Sequence, residues 1–321
     1  MDSAYTIVVP DNEILARLCG SNDSNLVLIE EHLGVPVFTR GNELSISESD
    51  TRVCERFKHI IDRITDEVTN GHYPDSHMVY SILNVCPKNT DLTDKELRRL
   101  FAKTSICIPE GFRNVYPKTN AQAELVDAMR THDMVFCMGP AGSGKTYLMI
   151  AEALNLIMQR KKSRIVLTRP VVEAGESLGF LPGDLEQKIS PYLRPLYDAM
   201  ESLISREHIR KLIDSGIIDV APLAYMRGRT LSDSVIILDE AQNTTAQQMK
   251  MFLTRMGEGS KVFISGDITQ TDLPKHIVSG LKDSMHVLRN IEEIKKIYFT
   301  SSDVVRNELV KKIIQAYEDH E

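Results

Sequence analysis

From Met134 onward, short apolar runs alternate with stretches of helical spacing. The runs are Met134–Met138 (MVFCM), Arg164–Thr168 (RIVLT), Ser234–Leu238 (SVIIL), Lys261–Ser265 (KVFIS) and Lys296–Phe299 (KIYF). Each reads as a strand buried on both faces. After the first run, Tyr147–Arg160 sets Leu148, Ile150, Ala151, Leu154, Ile157 and Met158 at helical intervals. Strands alternating with helices predict an α/β domain: a parallel sheet with helices on both faces. A ligand of such a sheet belongs at the carboxyl ends of its strands.

The pattern before Met134 is different. Tyr5–Val9 is a strand ending at Pro10, and Asn12–Cys19 and Asn25–Leu33 are helices. Val35–Thr39 and Glu43–Ser47 are short strands around the turn Arg40-Gly41-Asn42. Asp50–Thr69 is a longer helix with Val53, Phe57, Ile60, Ile61, Ile64 and Val68 on one stripe. The order resembles a KH-like RNA-binding domain, although Gly20-Ser21-Asn22-Asp23 keeps only the first glycine of the G-x-x-G clamp. Residues 1–70 are therefore expected to form a small α+β KH-like domain, and a docking or oligomerisation role without RNA fits them equally. Residues 71–118 read as a connector, with helical spacing at Val79–Val85 and at Asp94–Lys103, where Thr93 and Glu96 form a capping pair. Ile106–Pro117 reads as extended. Residues 119–321 form the second domain, opening with a helix at Asn120–Arg130.

Composition narrows the setting. The chain has 321 residues, enough for about two domains, and 42% of them are hydrophobic. Cys19, Cys54, Cys86, Cys107 and Cys137 lie far apart with no C-x-x-C pair, as expected of reduced thiols in a cytosol. No apolar run reaches membrane-spanning length, and Met1-Asp2-Ser3-Ala4 lacks the basic start of a secretion signal. A cytoplasmic protein is expected. The net charge is −7, all of it from Met1–Glu110, which carries 11 Lys+Arg against 18 Asp+Glu. Neither part has the basic surplus of a protein held on nucleic acid by phosphate neutralisation alone. Local patches or an assembled channel would have to make such contacts.

The candidate chemistry starts between the first run and its helix. Gly139-Pro140-Ala141-Gly142-Ser143-Gly144-Lys145-Thr146 has the pattern G-x-x-x-x-G-K-[ST] in the strand–loop–helix setting that pattern requires. Glycines let backbone N–H groups converge on phosphate oxygens, and the helix N-terminus adds its positive end. Lys145 is expected to reach the β/γ-phosphates, and the Thr146 hydroxyl to ligate Mg²⁺. Val235–Glu240 (VIILDE) delivers two carboxylates to a strand end. Asp239 is the expected Mg²⁺ partner, usually through water, and Glu240 the group that polarises the attacking water. The continuation Ala241-Gln242 makes Asp-Glu-Ala-Gln, a helicase-type signature. Ser265–Gln270 (SGDITQ) follows the next strand, and its Gly-Asp-x-x-Gln resembles the γ-phosphate sensor of superfamily 1 helicases, with Gln270 on the γ-phosphate or the lytic water. Gln122 resembles the adenine-reading glutamine of the same proteins.

Four further stretches carry a family resemblance: Thr168–Leu185 (TRPVVEAGESLGFLPGDL), Pro191–Asp198 (PYLRPLYD), Ala224–Thr230 (AYMRGRT) and Asp303–Arg306 (DVVR). With the motifs above they are similar to the PhoH family over Pro117–Tyr317, and Leu15–Ile64 resembles the N-terminal domain of its PhoH-like branch. Two departures are visible: Asn307-Glu308 follows Arg306 where the family has His-Pro, and Ala121 precedes Gln122 where it has Gly. The resemblance implies a RecA-like ATPase core using ATP and Mg²⁺, working as a homo-oligomeric, hexameric ring. RNA metabolism is the implied setting, with single-stranded RNA and an endoribonuclease as partners and no membrane. A helicase places ATP between two such cores, and one core is visible here, so a second subunit is expected to complete the site. Arg306 is the expected trans-acting donor, presented by a final helix Val304–Glu318 capped by Asp303, with Arg169, Arg227 and Arg229 as rivals.

Two other readings use the same loop. A small-molecule kinase would not need Asp-Glu-Ala-Gln and would need an acceptor lid, which is not recognisable here. A scaffold that binds ATP to assemble an RNA-processing complex would hydrolyse it slowly.

Overall fold

The computed structural model describes residues 4–69, 71–84, 104–110, 112–171, 185–274 and 276–305, with Ile313 and Ala316. The expected helix Asp94–Lys103, most of the family stretch Thr168–Leu185, and Arg306 lie outside the described residues. The chain divides into two compact units, Met1–Ser105 with Val115–Ala123, and Ile106–Asn114 with Glu124–Glu321.

In the first unit, strands β1 (Ala4–Val8), β2 (Val37–Arg40) and β3 (Glu43–Ser47) form an antiparallel sheet in the order β1-β3-β2. Leu44 and Ile46 point inward from β3 and are fully buried, as the alternation of a one-sided sheet demands. Helices α1 (Asn12–Cys19), α2 (Ser24–Leu33) and α3 (Thr51–Thr69) cover that face. The stripe read from the sequence is the one that packs, with Phe57, Ile60, Ile61 and Ile64 all in the core. Helix α4 (Ser76–Asn84) joins it: Met78, Val79, Ile82 and Leu83 are buried in the same cluster. Part of the expected connector is therefore core. Asn25, itself buried, ties the chain before α4 to α1 by donating from Nδ2 to the carbonyls of Pro74 and Leu18, each at 3.0 Å.

The second unit contains short strand β4 (Ile106–Cys107); β5 (Asn114–Val115) precedes helix α5 (Asn120–Thr131). Six parallel strands then build one sheet: β6 (Met134–Met138), β7 (Arg164–Arg169), β8 (Ile218–Pro222), β9 (Ser234–Leu238), β10 (Lys261–Gly266) and β11 (Ile294–Tyr298). Their order is β11-β6-β10-β9-β7-β8. Helices α6 (Lys145–Met158), α7 (Leu185–Glu201), α8 (Arg206–Asp214), α9 (Ala246–Leu253) and α10 (Gly280–Val287) complete the α/β arrangement of a RecA-like phosphate-loop fold. Strand β8 was not legible in the sequence, because Asp219 and Pro222 interrupt its apolar run. No helix among the described residues is long and apolar enough to cross a membrane.

The expected final helix Val304–Glu318 does not start where the sequence placed it. Val304 is extended (φ −72°, ψ 113°), and Asp303 closes a short 3₁₀ turn by accepting from the Thr300 N–H at 2.9 Å. An aspartate three residues after a threonine satisfies that tight turn locally, which removes it as a cap for a longer helix.

Sheet register positions the site. Gly266 of β10 lies opposite Met138 of β6, Ile264 opposite Leu238, and Thr168 of β7 opposite Leu238 of β9. The residues that follow these pairs therefore leave the sheet side by side: Gly139, Asp267, Asp239 and Arg169.

Candidate nucleotide-binding site

The phosphate loop is shaped by close packing at its first glycine. A Cβ on Gly139 would lie 2.5 Å from the carbonyl oxygen of Phe299, and its φ of +144° is open to glycine alone. The neighbouring backbones are stitched by Phe299 N–H to Met138 O at 2.7 Å and Gly139 N–H to Gly266 O at 3.2 Å. Gly142 and Gly144 also have positive φ, and the loop then feeds helix α6, which starts at Lys145. Lys145 is buried. Its Nζ donates to the carbonyls of Gly139 at 2.8 Å and Pro140 at 2.7 Å, and to Ser143 Oγ at 3.2 Å. Burial pulls the ammonium below the usual lysine range, and the charges of Asp267, Asp239 and Glu240 work against that shift.

Asp239 leaves β9 as a hub. Its Oδ1 accepts from Thr146 Oγ1 at 2.6 Å and from Ser265 Oγ at 2.5 Å, and its Oδ2 faces Arg169 Nε at 3.2 Å. Glu240 has a left-handed backbone (φ 54°, ψ 40°), a rare state for a residue with a Cβ, which surrounding contacts must hold. Its Oε1 accepts from Arg169 Nη2 at 2.9 Å and its Oε2 from Gln242 Nε2 at 2.6 Å. Gln242 in turn accepts the Asp267 N–H at 3.0 Å through its own Oε1.

Lys145, Thr146, Asp239, Glu240, Asp267 and Gln270 line one pocket of about 240 Å³. The phosphate loop, the paired carboxylates and the Gly-Asp-x-x-Gln segment thus meet at one pocket. Gln270 is exposed at the rim, with its N–H donating to Asp267 O at 3.1 Å. Gln122 is buried, and its Oε1 accepts the Lys118 N–H at 2.7 Å at the head of α5. Of the rival arginines, Arg169 is engaged within its own site, Arg229 pairs with Asp219 at 2.5 Å, and Arg227 is exposed.

The donors present fit a hydrated magnesium ion with phosphate. Asp267 is buried, its Oδ1 takes the N–H and hydroxyl of Thr269, and its Oδ2 has no hydrogen-bond partner. An orphaned carboxylate oxygen at such a pocket suits the water shell of a cation. Among the described residues no three His, Cys, Asp or Glu side chains cluster to bind a metal directly. Mg²⁺ keeps waters and uses few protein ligands beside phosphate oxygens. The sequence reading took Arg169 only as a rival trans-acting donor and gave Ser265 and Asp267 no role of their own. Only the strand register brings them to Asp239 and Glu240.

Comparison with known proteins agrees with the motifs. The profile of the family described as PhoH-like protein matches residues 114–318. A PhoH-like protein of Mycobacterium leprae is 46% identical over 318 residues, covering 98% of this chain and 88% of the relative. One from Bacillus subtilis is 45% identical over 313 residues, covering 96% of this chain and 95% of the relative. The protein PhoH of Escherichia coli is 42% identical over 205 residues, covering 63% of this chain and 58% of that protein. Among solved structures, the large terminase of a thermophilic bacteriophage overlaps at a TM-score of 0.35 and 12% identity, over 58% of this chain and 45% of that one, which adds nothing to the sheet order itself. Matched over nearly its whole length by such relatives, the chain belongs to the PhoH family of PhoH-like proteins.

Proposed function

We propose that this chain binds ATP with Mg²⁺ and hydrolyses it. The observation that carries the reading is the Thr146 hydroxyl bonded to Asp239 at 2.6 Å, at a pocket that Lys145 and Glu240 also line. Gly142, Ser143, Gly144 and Lys145 offer backbone N–H groups at a helix N-terminus, where phosphate oxygens are favoured. Lys145 would exchange its loop carbonyls for β/γ-phosphate oxygens. Thr146 and Asp239 would hold Mg²⁺, which when bound neutralises the charge of the phosphates. Glu240 would orient and deprotonate the attacking water, with Gln270 beside it at the rim. Gln122 is the proposed reader of adenine.

The reading extends to assembly and setting. We infer a homo-oligomeric ring, hexameric as the family resemblance implies, in which a neighbour contributes an arginine to the site. Arg306 is the proposed donor; Arg227, exposed, is the alternative. Single-stranded RNA would follow the assembled ring and not the acidic N-terminal part, and an endoribonuclease is the proposed partner. Phosphate release from Mg·ATP, with and without single-stranded RNA and beside a measurement of assembly size, tests this. Release that RNA stimulates is the expected result. Slow release indifferent to RNA favours the scaffold, phosphate transferred to an added acceptor favours the kinase, and no nucleotide binding overturns the reading altogether.

A further inference from the structure

Arg169 stands at the end of β7, beside the two carboxylates at the end of β9, and each nitrogen of its guanidinium has a different partner. Nε faces Asp239 Oδ2 at 3.2 Å, Nη2 donates to Glu240 Oε1 at 2.9 Å, and Nη1 donates to the Tyr192 carbonyl at 2.9 Å. Its side chain is 16% exposed, so these contacts are little screened by water. The other Glu240 oxygen is held by Gln242, which is itself tied to the Asp267 backbone. The carboxylate is thus clamped from both sides while its backbone sits in the left-handed region. Each carboxylate oxygen still has a second lone pair for a water.

A counterion alone would not need this geometry. Neutralising Asp239 and Glu240 takes only a positive charge nearby. A planar fork with three separate acceptors instead fixes a direction. We propose that Arg169 is a positioning residue for the hydrolytic step, holding Glu240 at a set place beside Asp239; this rests on the reading of Glu240 given above. Arg169 does not itself touch the reacting atoms in this scheme. It acts through Glu240, and a shift of about 1 Å in such a group can cost roughly 10²-fold in rate.

The test uses the full chain with R169M, R169K, E240Q and the double variant R169M/E240Q. Phosphate release, binding of a fluorescent ATP analogue and thermal unfolding are followed together. R169M is expected to lower kcat by roughly 10- to 100-fold while analogue affinity stays within about threefold. R169K keeps the charge but not the fork, and is expected to recover only part of the rate. Because Arg169 acts through Glu240, adding R169M to E240Q should change the residual rate by less than about twofold. A merely structural arginine would weaken analogue binding alongside the rate, and its cost would add to that of E240Q; either result overturns the proposal. So does an R169M protein that turns over at the wild-type rate. Should R169M fail to fold, R169K decides: reduced kcat at unchanged affinity supports the proposal, and wild-type kcat overturns it. A wild-type chain without ATPase activity, or an E240Q variant at full rate, defeats the reading of the site and this proposal with it. An active wild type with an unaffected R169M defeats the proposal alone.

Discussion

The Thr146 hydroxyl donates to Asp239 Oδ1 across 2.6 Å, joining two residues 93 positions apart in the chain. One lies in the first turn of the helix after the phosphate loop, and the other follows a strand two places away in the sheet. Strand β10 lies between them, and its Ser265 bonds the same carboxylate oxygen at 2.5 Å. Three elements therefore meet at one carboxylate, the one proposed to hold the metal.

Lys145→Ala should lose most ATP binding and all turnover, since it removes the charge proposed to meet the β/γ-phosphates. Glu240→Gln should retain ATP and Mg²⁺ while its turnover falls by about 10²-fold or more. Equilibrium binding and phosphate release separate the two. A Glu240→Gln turnover within about twofold of wild type, a barrier change under ~1 kcal/mol, would remove Glu240 from that role.

Gly139→Ala should be costly for two reasons that act together. The new Cβ would meet the Phe299 backbone at 2.5 Å, and φ is +144°. A loss of about 2–4 kcal/mol is expected, with loss of nucleotide binding. Gly228→Ala is the contrast: φ is +80° but nothing lies within 4 Å of the added carbon, so about 1 kcal/mol should be lost. Denaturant midpoints of the two variants measure the difference. Equal costs would show that packing against Phe299 does not matter.

Arg130 and Glu152 form a second clamp, behind the phosphate-loop helix. Arg130 donates from Nε and Nη2 to the two oxygens of Glu152, each at 3.1 Å, and the Glu152 side chain is 1% exposed. Arg130→Met should cost about 3–5 kcal/mol by leaving a buried carboxylate without its partner. Arg130→Met combined with Glu152→Leu should recover most of that loss, because no uncompensated charge remains. Urea unfolding of the single and double variants checks it; a double variant no more stable than the single one would count against the pairing as the cause.

The Val305 N–H donates to Gly142 O of the phosphate loop at 3.1 Å. The trans role proposed for Arg306 can be separated from a role in its own site by mixing two inactive variants, Lys145→Ala and Arg306→Ala. An Arg306→Ala subunit has an intact loop and can borrow the arginine of a Lys145→Ala neighbour, so mixing should restore part of the phosphate release. If both variants assemble and exchange subunits and the mixture stays inactive, Arg306 serves its own site or none.

The parts of this protein legible in its sequence are those whose causes are local. The phosphate loop declares itself because glycines, lysine and threonine must sit at set intervals between one strand and one helix. Four of the five apolar runs read as strands ended within a residue of the observed strand, and the fifth, Lys296–Phe299, began two residues late because Lys295 and Lys296 separate Ile294 from the rest of the run. Strand β8 was lost where Asp219 and Pro222 broke the run, although its neighbour β7 supplies the pairing that makes it a strand. Helix α4 was readable as a helix, but nothing in its spacing says that Met78 and Ile82 belong to the core of the first unit.

The set of side chains around Glu240 could not be read in the same way. Which residue stands beside Asp239 depends on Thr168 pairing with Leu238, a register set by hydrogen bonds between strands far apart in the chain. The grip of Arg169 upon Glu240 follows from that register, and the place of Asp267 from the pairing of β10 with β9 and β6. The amino-acid sequence determined the residue types and the local elements, because glycine conformation and apolar spacing act over a few positions. The tertiary structure alone decided which charges meet, because parallel strands joined through helices can bring any two strand ends together.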